Sequence, residues 1–213
     1  MTGKLIVFEG VDFSGKTTLV RKISRWLEKK KIPYLSTFEP GGSDGWRISK
    51  ILRQQKTLDK TELLLHIAAR YEHVEKSIKP ALANNKVVIS DRYFHSTIAY
   101  QCGGNNLNLE DAEKITNYCG TLPTPDICFI LTLKYEDFEK RKKEITERPI
   151  DLIENRNEYY FKRVISAYEE MKKNKRLLNT IFIDATIQQD KIFSIVTGEI
   201  EKLLKDWNKE NIF

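Results

Sequence analysis

Leu5-Ile6-Val7-Phe8-Glu9-Gly10-Val11-Asp12-Phe13-Ser14-Gly15-Lys16-Thr17-Thr18-Leu19-Val20 reads in three parts that together decide the fold. The run Leu5–Phe8 is apolar without alternation, as expected of a strand buried on both faces. Leu19, Val20, Ile23, Trp26 and Leu27 recur at i, i+3 and i+4, which predicts an amphipathic helix. Between them, Gly10 to Thr17 satisfy G-x-x-x-x-G-K-[ST], in the strand-loop-helix context of a phosphate-binding loop. Glycines let backbone N–H groups curl around a phosphate, and the helix N-terminus adds partial positive charge. Lys16 would reach the β/γ-phosphates and Thr17 would offer its hydroxyl to Mg²⁺. Gly10, Val11, Asp12, Phe13, Ser14, Gly15, Lys16, Thr17 and Thr18 are therefore the expected nucleoside triphosphate site.

Outward from this stretch, short β-rich runs at Tyr34–Phe38, Val87–Ser90, Ile127–Leu133 and Thr180–Ile183 alternate with segments of helical period. All are read as strands buried on both faces. The pattern predicts a three-layer α/β fold, a central parallel sheet of about five strands with helices on both faces. One helix is expected from near Asp59, with Glu62 closing a capping box, through Arg70 toward Ile78 and before Pro80. Another carries Ile192, Phe193, Val196, Ile200, Leu203, Leu204 and Trp207. No repeat or Pro/Gly/Ser-rich linker divides the 213 residues, so a single domain over 1–213 is the economical reading.

Composition narrows the classes. Lys+Arg 36 against Asp+Glu 30 gives a net charge of +6, which suits any polyanion without choosing among them. Forty per cent hydrophobic residues with 6 Pro and 10 Gly argues against a disordered or fibrous chain. Cys102, Cys119 and Cys128 are odd in number and lack C-x-x-C spacing, so reduced thiols are expected rather than disulfides or a zinc site. Met1-Thr2-Gly3-Lys4 runs straight into the first strand without the features of a signal peptide, and the expectation is a cytoplasmic protein.

A phosphate loop does not say what is done with the triphosphate. The N-K-x-D motif of guanine-reading switches is not in the sequence, which leaves a kinase as the leading reading. Asp91 ends the run Val87-Val88-Ile89-Ser90, a position from which a carboxylate can hold Mg²⁺ directly or through water. Arg92 follows it next to the expected phosphate site.

These residues, with others, carry a resemblance. Phe8-Glu9-Gly10-Val11-Asp12, Glu39-Pro40-Gly41-Gly42, Ala68-Ala69-Arg70, Ile78-Lys79-Pro80-Ala81-Leu82, and Asp91-Arg92-Tyr93 with Ser96, Thr97, Ala99, Tyr100 and Gln101 are similar to the corresponding segments of prokaryotic thymidylate kinases. So are Pro125-Asp126, Asp151-x-Ile153-Glu154 and Ile183-Asp184-Ala185-Thr186. The resemblance implies a P-loop kinase that phosphorylates dTMP to dTDP with Mg²⁺–ATP. It implies that Lys16, Arg92, Asp12 and the lid residue Arg148 are catalytic, and that Thr17 and Asp91 hold the metal. It implies a dTMP site of Asp12, Lys50, His66, Arg70, Arg92, Thr97, Tyr100 and Gln101, in which Arg70 and Gln101 read the base with Thr97 nearby. Tyr100 would crowd the sugar 2′ position. Arg141 and Arg156 add cations near a mobile lid at 142–154. The implied partners are ATP, dTMP and a second copy of the chain, with no nucleic acid and no membrane.

The chain also departs from that pattern. His66 stands where relatives carry a stacking phenylalanine, so the face over the base is smaller and titratable. Phe38 and Leu152 stand where arginines are usual, and Lys50 replaces a third, losing its bidentate fork. Another nucleoside-monophosphate or deoxynucleoside kinase on the same scaffold is the nearer alternative reading, and a nucleotide- or nucleic-acid-binding module the more distant one.

Overall fold

The computed structural model describes residues 3–144, 150–173, 177 and 179–210, with backbone only at 42–44, 206 and 208–210. In chain order the elements are β1 (Lys4–Gly10), α1 (Lys16–Lys29), β2 (Tyr34–Phe38), α2 (Gly42–Gln54) and α3 (Asp59–His73). A π-helical turn, Val74–Ile78, joins α3 to α4 (Lys79–Ala83), and β3 (Val87–Asp91) follows. The short α5 (Phe94–Ser96) continues as a π-helical turn over Thr97–Gly104, then α6 (Leu109–Cys119), β4 (Ile127–Thr132) and α7 (Tyr135–Lys143). Last come α8 (Glu158–Met171), β5 (Thr180–Asp184) and α9 (Gln189–Glu210).

The five strands form one all-parallel sheet in the order β2-β3-β1-β4-β5. From β1 the chain moves one way to β2, and from β2 it moves the other way through β3 and β4 to β5. Right-handed crossovers then put α1 on one face and α2 to α8 on the other, with α9 returning to pack beside α1. β1, β3 and β4 are buried along nearly their whole length. The edge strands β2 and β5 are only half-covered, contrary to the uniform burial expected from their apolar content. An edge strand has one neighbour and few helices above it, and its composition alone does not reveal which strands lie at the edge.

Register positions the site. Phe8 pairs with Asp91 and Asp91 with Phe38, so the carboxyl ends of β1, β3 and β2 lie level. The ladder runs one step further through Arg92 N–H to the Phe8 carbonyl at 2.8 Å and Glu39 N–H to the Asp91 carbonyl at 2.9 Å. The loops after three strands therefore open into one crevice where the winding direction reverses, the place where open α/β sheets bind ligands.

The capping box expected at Asp59 does not form. Leu58 is the N-cap and makes no side-chain cap bond, while Glu62 turns inward and is buried. It is drawn there by Gln101, Asn105 and Arg156, donors that the local sequence does not foreshadow.

Candidate active site

The phosphate loop is held by backbone that favours glycine. Gly10 sits at φ 135°, and a Cβ there would lie 2.3 Å from the Leu131 carbonyl oxygen. Gly15 is at φ 93°, and Phe13 takes φ 62° with its ring packed on Phe138. Lys16 is buried rather than projecting freely, donating to the Val11 carbonyl at 2.8 Å. Burial, and then the charge of Arg92, push its pKa down to about 8, with Asp12, Asp91 and Glu9 opposing. The Thr17 hydroxyl donates to Asp91 Oδ2 at 2.6 Å, which joins the two expected metal ligands directly.

Arg92 adopts φ 77°, a left-handed conformation costly for a residue with a Cβ, immediately after β3. That turn aims its guanidinium back across the phosphate loop, where it donates to Gly10 O and Ser96 Oγ, both at 3.1 Å, and pairs with Asp12. Tyr100 O–H donates to Asp12 Oδ2 at 2.8 Å and accepts from Asp12 N–H at 3.0 Å. Burial raises the Asp12 pKa, but Arg92 and Lys16 outweigh it and hold the carboxyl below its ordinary value. Beneath lies Glu9, wholly buried, which accepts from the backbone of Tyr93 and Ser96 and from the hydroxyls of Ser96 and Tyr168. It ties the start of α5 to β1 and so fixes the Arg92 turn. Its lone acidic position inside an apolar strand was the available sequence signal.

Two clefts meet at this cluster. The first opens over Lys16, Thr17, Thr18 and Asp91, and the second is lined by His66, Tyr100, Gln101, Ser49 and Leu52. Asp12, Glu39, Arg53, Arg92 and Glu154 border both. Arg70 and Thr97 do not line the second cleft. Arg70 is 3 % exposed, donating to Glu39 at 2.6 Å, Thr97 Oγ1 at 2.8 Å and Tyr93 O at 3.1 Å. His73 bonds to the same Glu39 and to Thr37. Burial first, and then Arg70, Arg92, Arg156 and Arg53, push the His66 pKa down to about 3, so the ring is neutral at ordinary pH and not the titratable face expected from its type.

Lys50 is exposed and lines neither cleft. Ser49, Leu52 and Arg53 share the inward face of α2, and Lys50 lies about 100° round the helix. Arg53, rather than the expected Lys50, is the α2 cation that borders both clefts, and it pairs with Asp151 at 2.9 Å. Arg141 donates to Phe13 O at 3.1 Å and Ala185 O at 2.6 Å, bridging the phosphate loop to the turn after β5. Arg156 faces Glu62 and stacks on Tyr160 instead of entering either cleft. Arg148 lies outside the described residues, as does part of the expected lid.

Comparison with known proteins joins this geometry to a family. The thymidylate kinase family model matches residues 8–194, which span the phosphate loop and both clefts and stop within the first turns of α9. The chain belongs to the thymidylate kinase family. A Legionella pneumophila (strain Paris) thymidylate kinase is 36 % identical over 214 residues, covering 96 % of this chain and 97 % of that protein. A Prochlorococcus marinus (strain MIT 9301) thymidylate kinase is 39 % identical over 186 residues, covering 82 % and 86 %. A Fervidobacterium nodosum thymidylate kinase is 36 % identical over 182 residues, covering 85 % and 90 %. Where this family member departs from the expected pattern, Phe38 is more than half exposed at the rim of the first cleft, and Leu152 is exposed beside Arg53.

Proposed function

We propose that the protein transfers the γ-phosphoryl group of ATP to dTMP, giving ADP and dTDP. The observation that carries this reading is the junction of the two clefts at Asp12 and Arg92, which would place donor and acceptor phosphates against one guanidinium. The acceptor phosphate has a second pKa near 6 and is largely ionised at neutral pH, so no general base is required. The barrier is repulsion between two anions, and the site answers it with cations and positioning. Lys16 and the loop amides hold the donor β/γ-phosphates, and Arg92, set by Asp12, Tyr100 and Glu9, holds the acceptor oxygen in line. The new P–O bond forms there as the bond to the β-phosphate oxygen breaks.

Thr17 and Asp91 are hard oxygen donors of the kind Mg²⁺ takes. When bound, Mg²⁺ offsets charge on the β- and γ-oxygens.

The same reading takes residues 1–213 as one domain, with the segment 142–154 including Arg148 acting as a lid, and places the protein in the cytoplasm, in keeping with three free thiols. It also includes a homodimer. Thr61, Leu64, Ala68 and Tyr71 form an exposed stripe along α3, with Leu64 51 % and Tyr71 42 % exposed. A single-chain mass in sedimentation equilibrium would refute the dimer.

A panel of nucleoside monophosphates with Mg²⁺–ATP tests the reaction. dTMP should lead and dUMP follow, since the thymine methyl is worth about 1–3 kcal/mol in a fitted pocket. A lead by dCMP, dGMP or AMP would overturn the assignment.

A further inference from the structure

We propose that Glu62 is a positioning residue that sets which base the acceptor cleft takes, by holding the Gln101 amide with its oxygen toward the cleft. The inference rests on the reading of that cleft as the monophosphate site. Gln101 is 3 % exposed and lines the cleft, whereas Glu62 is 2 % exposed and does not.

An amide end is ambiguous until a neighbour of fixed polarity decides it, and here two such neighbours do. A carboxylate only accepts, and a guanidinium only donates. Glu62 Oε1 accepts from Gln101 Nε2 at 2.9 Å and from Asn105 Nδ2 at 3.2 Å. Arg156 donates to Glu62 Oε2 and to Asn105 Oδ1, so Asn105 is also held in one sense. Flipping Gln101 would set an amide oxygen against a buried carboxylate with no donor between them. The Gln101 side chain makes no other hydrogen bond among the described residues, which leaves Oε1 as its group for the cleft.

An acceptor at that position matches a pyrimidine that carries N–H at ring position 3, as thymine and uracil do. It opposes cytosine, whose N3 is a lone pair. A Gln free to rotate would serve either base. The discrimination therefore comes from a residue on α3 that never meets the ligand, anchored by an arginine next to the Asp151–Glu154 segment.

The test compares dTMP with 5-methyl-dCMP, which keeps the methyl group and changes only positions 3 and 4. In Glu62→Gln the ratio of kcat/KM values, dTMP over 5-methyl-dCMP, should fall at least about tenfold, by a gain for 5-methyl-dCMP and a raised KM for dTMP. Glu62→Asp, which keeps an acceptor-only group, should retain most of the ratio. A merely structural role would lower both substrates in proportion, and an unchanged ratio would overturn the proposal. Failure of the wild type to turn over dTMP would instead strike the reading beneath it. Should Glu62→Gln not fold, wild-type NMR carries the test. The Gln101 side-chain NH₂ signals, assigned by their loss in Gln101→Met, should be protected from solvent exchange without nucleotide. Signals that exchange freely until dTMP is added would mean that the ligand, not Glu62, orders the amide.

Discussion

Raising the pH should weaken triphosphate binding far below the range in which a lysine ordinarily titrates. In the protein alone, Lys16 is 5 % exposed, and its pKa is pushed from 10.5 down to about 8 by burial and by the Arg92 guanidinium. A bound triphosphate sets negative charge against the ammonium and returns it toward its ordinary value. The bound form then holds the proton more tightly, so affinity falls as pH rises through 8. With pKa values of about 8 and 10.5, the apparent Kd roughly doubles by pH 8 and by pH 9 is about tenfold its low-pH value, ~1.4 kcal/mol in all. ATP itself does not titrate there, its last phosphate proton leaving near pH 6–7. Cys102 does not either, since burial pushes its thiol up to about 11. Calorimetric titration in two buffers of different ionisation enthalpy should show uptake of about half a proton at pH 8. Lys16→Arg, which stays charged throughout, should flatten the profile. A wild-type Kd constant from pH 7 to 9 without proton uptake would refute the reasoning.

Three other perturbations test separate parts of the site. Tyr100→Phe removes bonds to the Asp12 N–H at 3.0 Å, the Asp12 carboxylate at 2.8 Å and Arg92 at 3.1 Å. It should cost about 1–3 kcal/mol in urea unfolding, and an unchanged midpoint would mean that the hydroxyl is dispensable. Gly104→Ala would bring a Cβ to 2.4 Å from the Tyr160 ring and 2.9 Å from Val164. Overpacking between α8 and the Thr97–Gly104 turn should lower stability by about 1–3 kcal/mol, and an unshifted Tm would argue against so close an approach. His66, held neutral with a pKa of about 3, should leave no mark of its own on dTMP binding between about pH 5.5 and 7.5. Wild type and His66→Phe should then share one profile, shaped by the nucleotide phosphate, and a step present only in the wild type would contradict the neutral ring. Because only the unfolded chain takes up this proton near pH 6.5, the same depression should cost stability as pH falls through about 6.5 toward 3, a slope that His66→Phe should lose.

The sequence by itself determined the elements whose causes are local. The apolar run before Gly10, the glycine loop and the Leu19–Leu27 period place β1, the phosphate loop and α1, because strand burial, left-handed backbone and helical faces each leave a short-range mark. The remaining strands and the Asp91–Arg92 junction were legible for the same reason. Tertiary structure alone decided what depends on residues far apart in the chain. It chose which strands became edges, and it drew Glu62 away from a helix cap to Gln101, Asn105 and Arg156. It put Arg53 rather than Lys50 at the clefts, since the face of α2 that turns inward is set by its packing against α3. It also lowered the His66 pKa, because desolvation and the field of four arginines exist only once α2, α3, the turn after β3 and the Arg156 segment are packed together. Residue type reports what a side chain can do, and its partners and solvent, fixed by packing, decide which of those things it does.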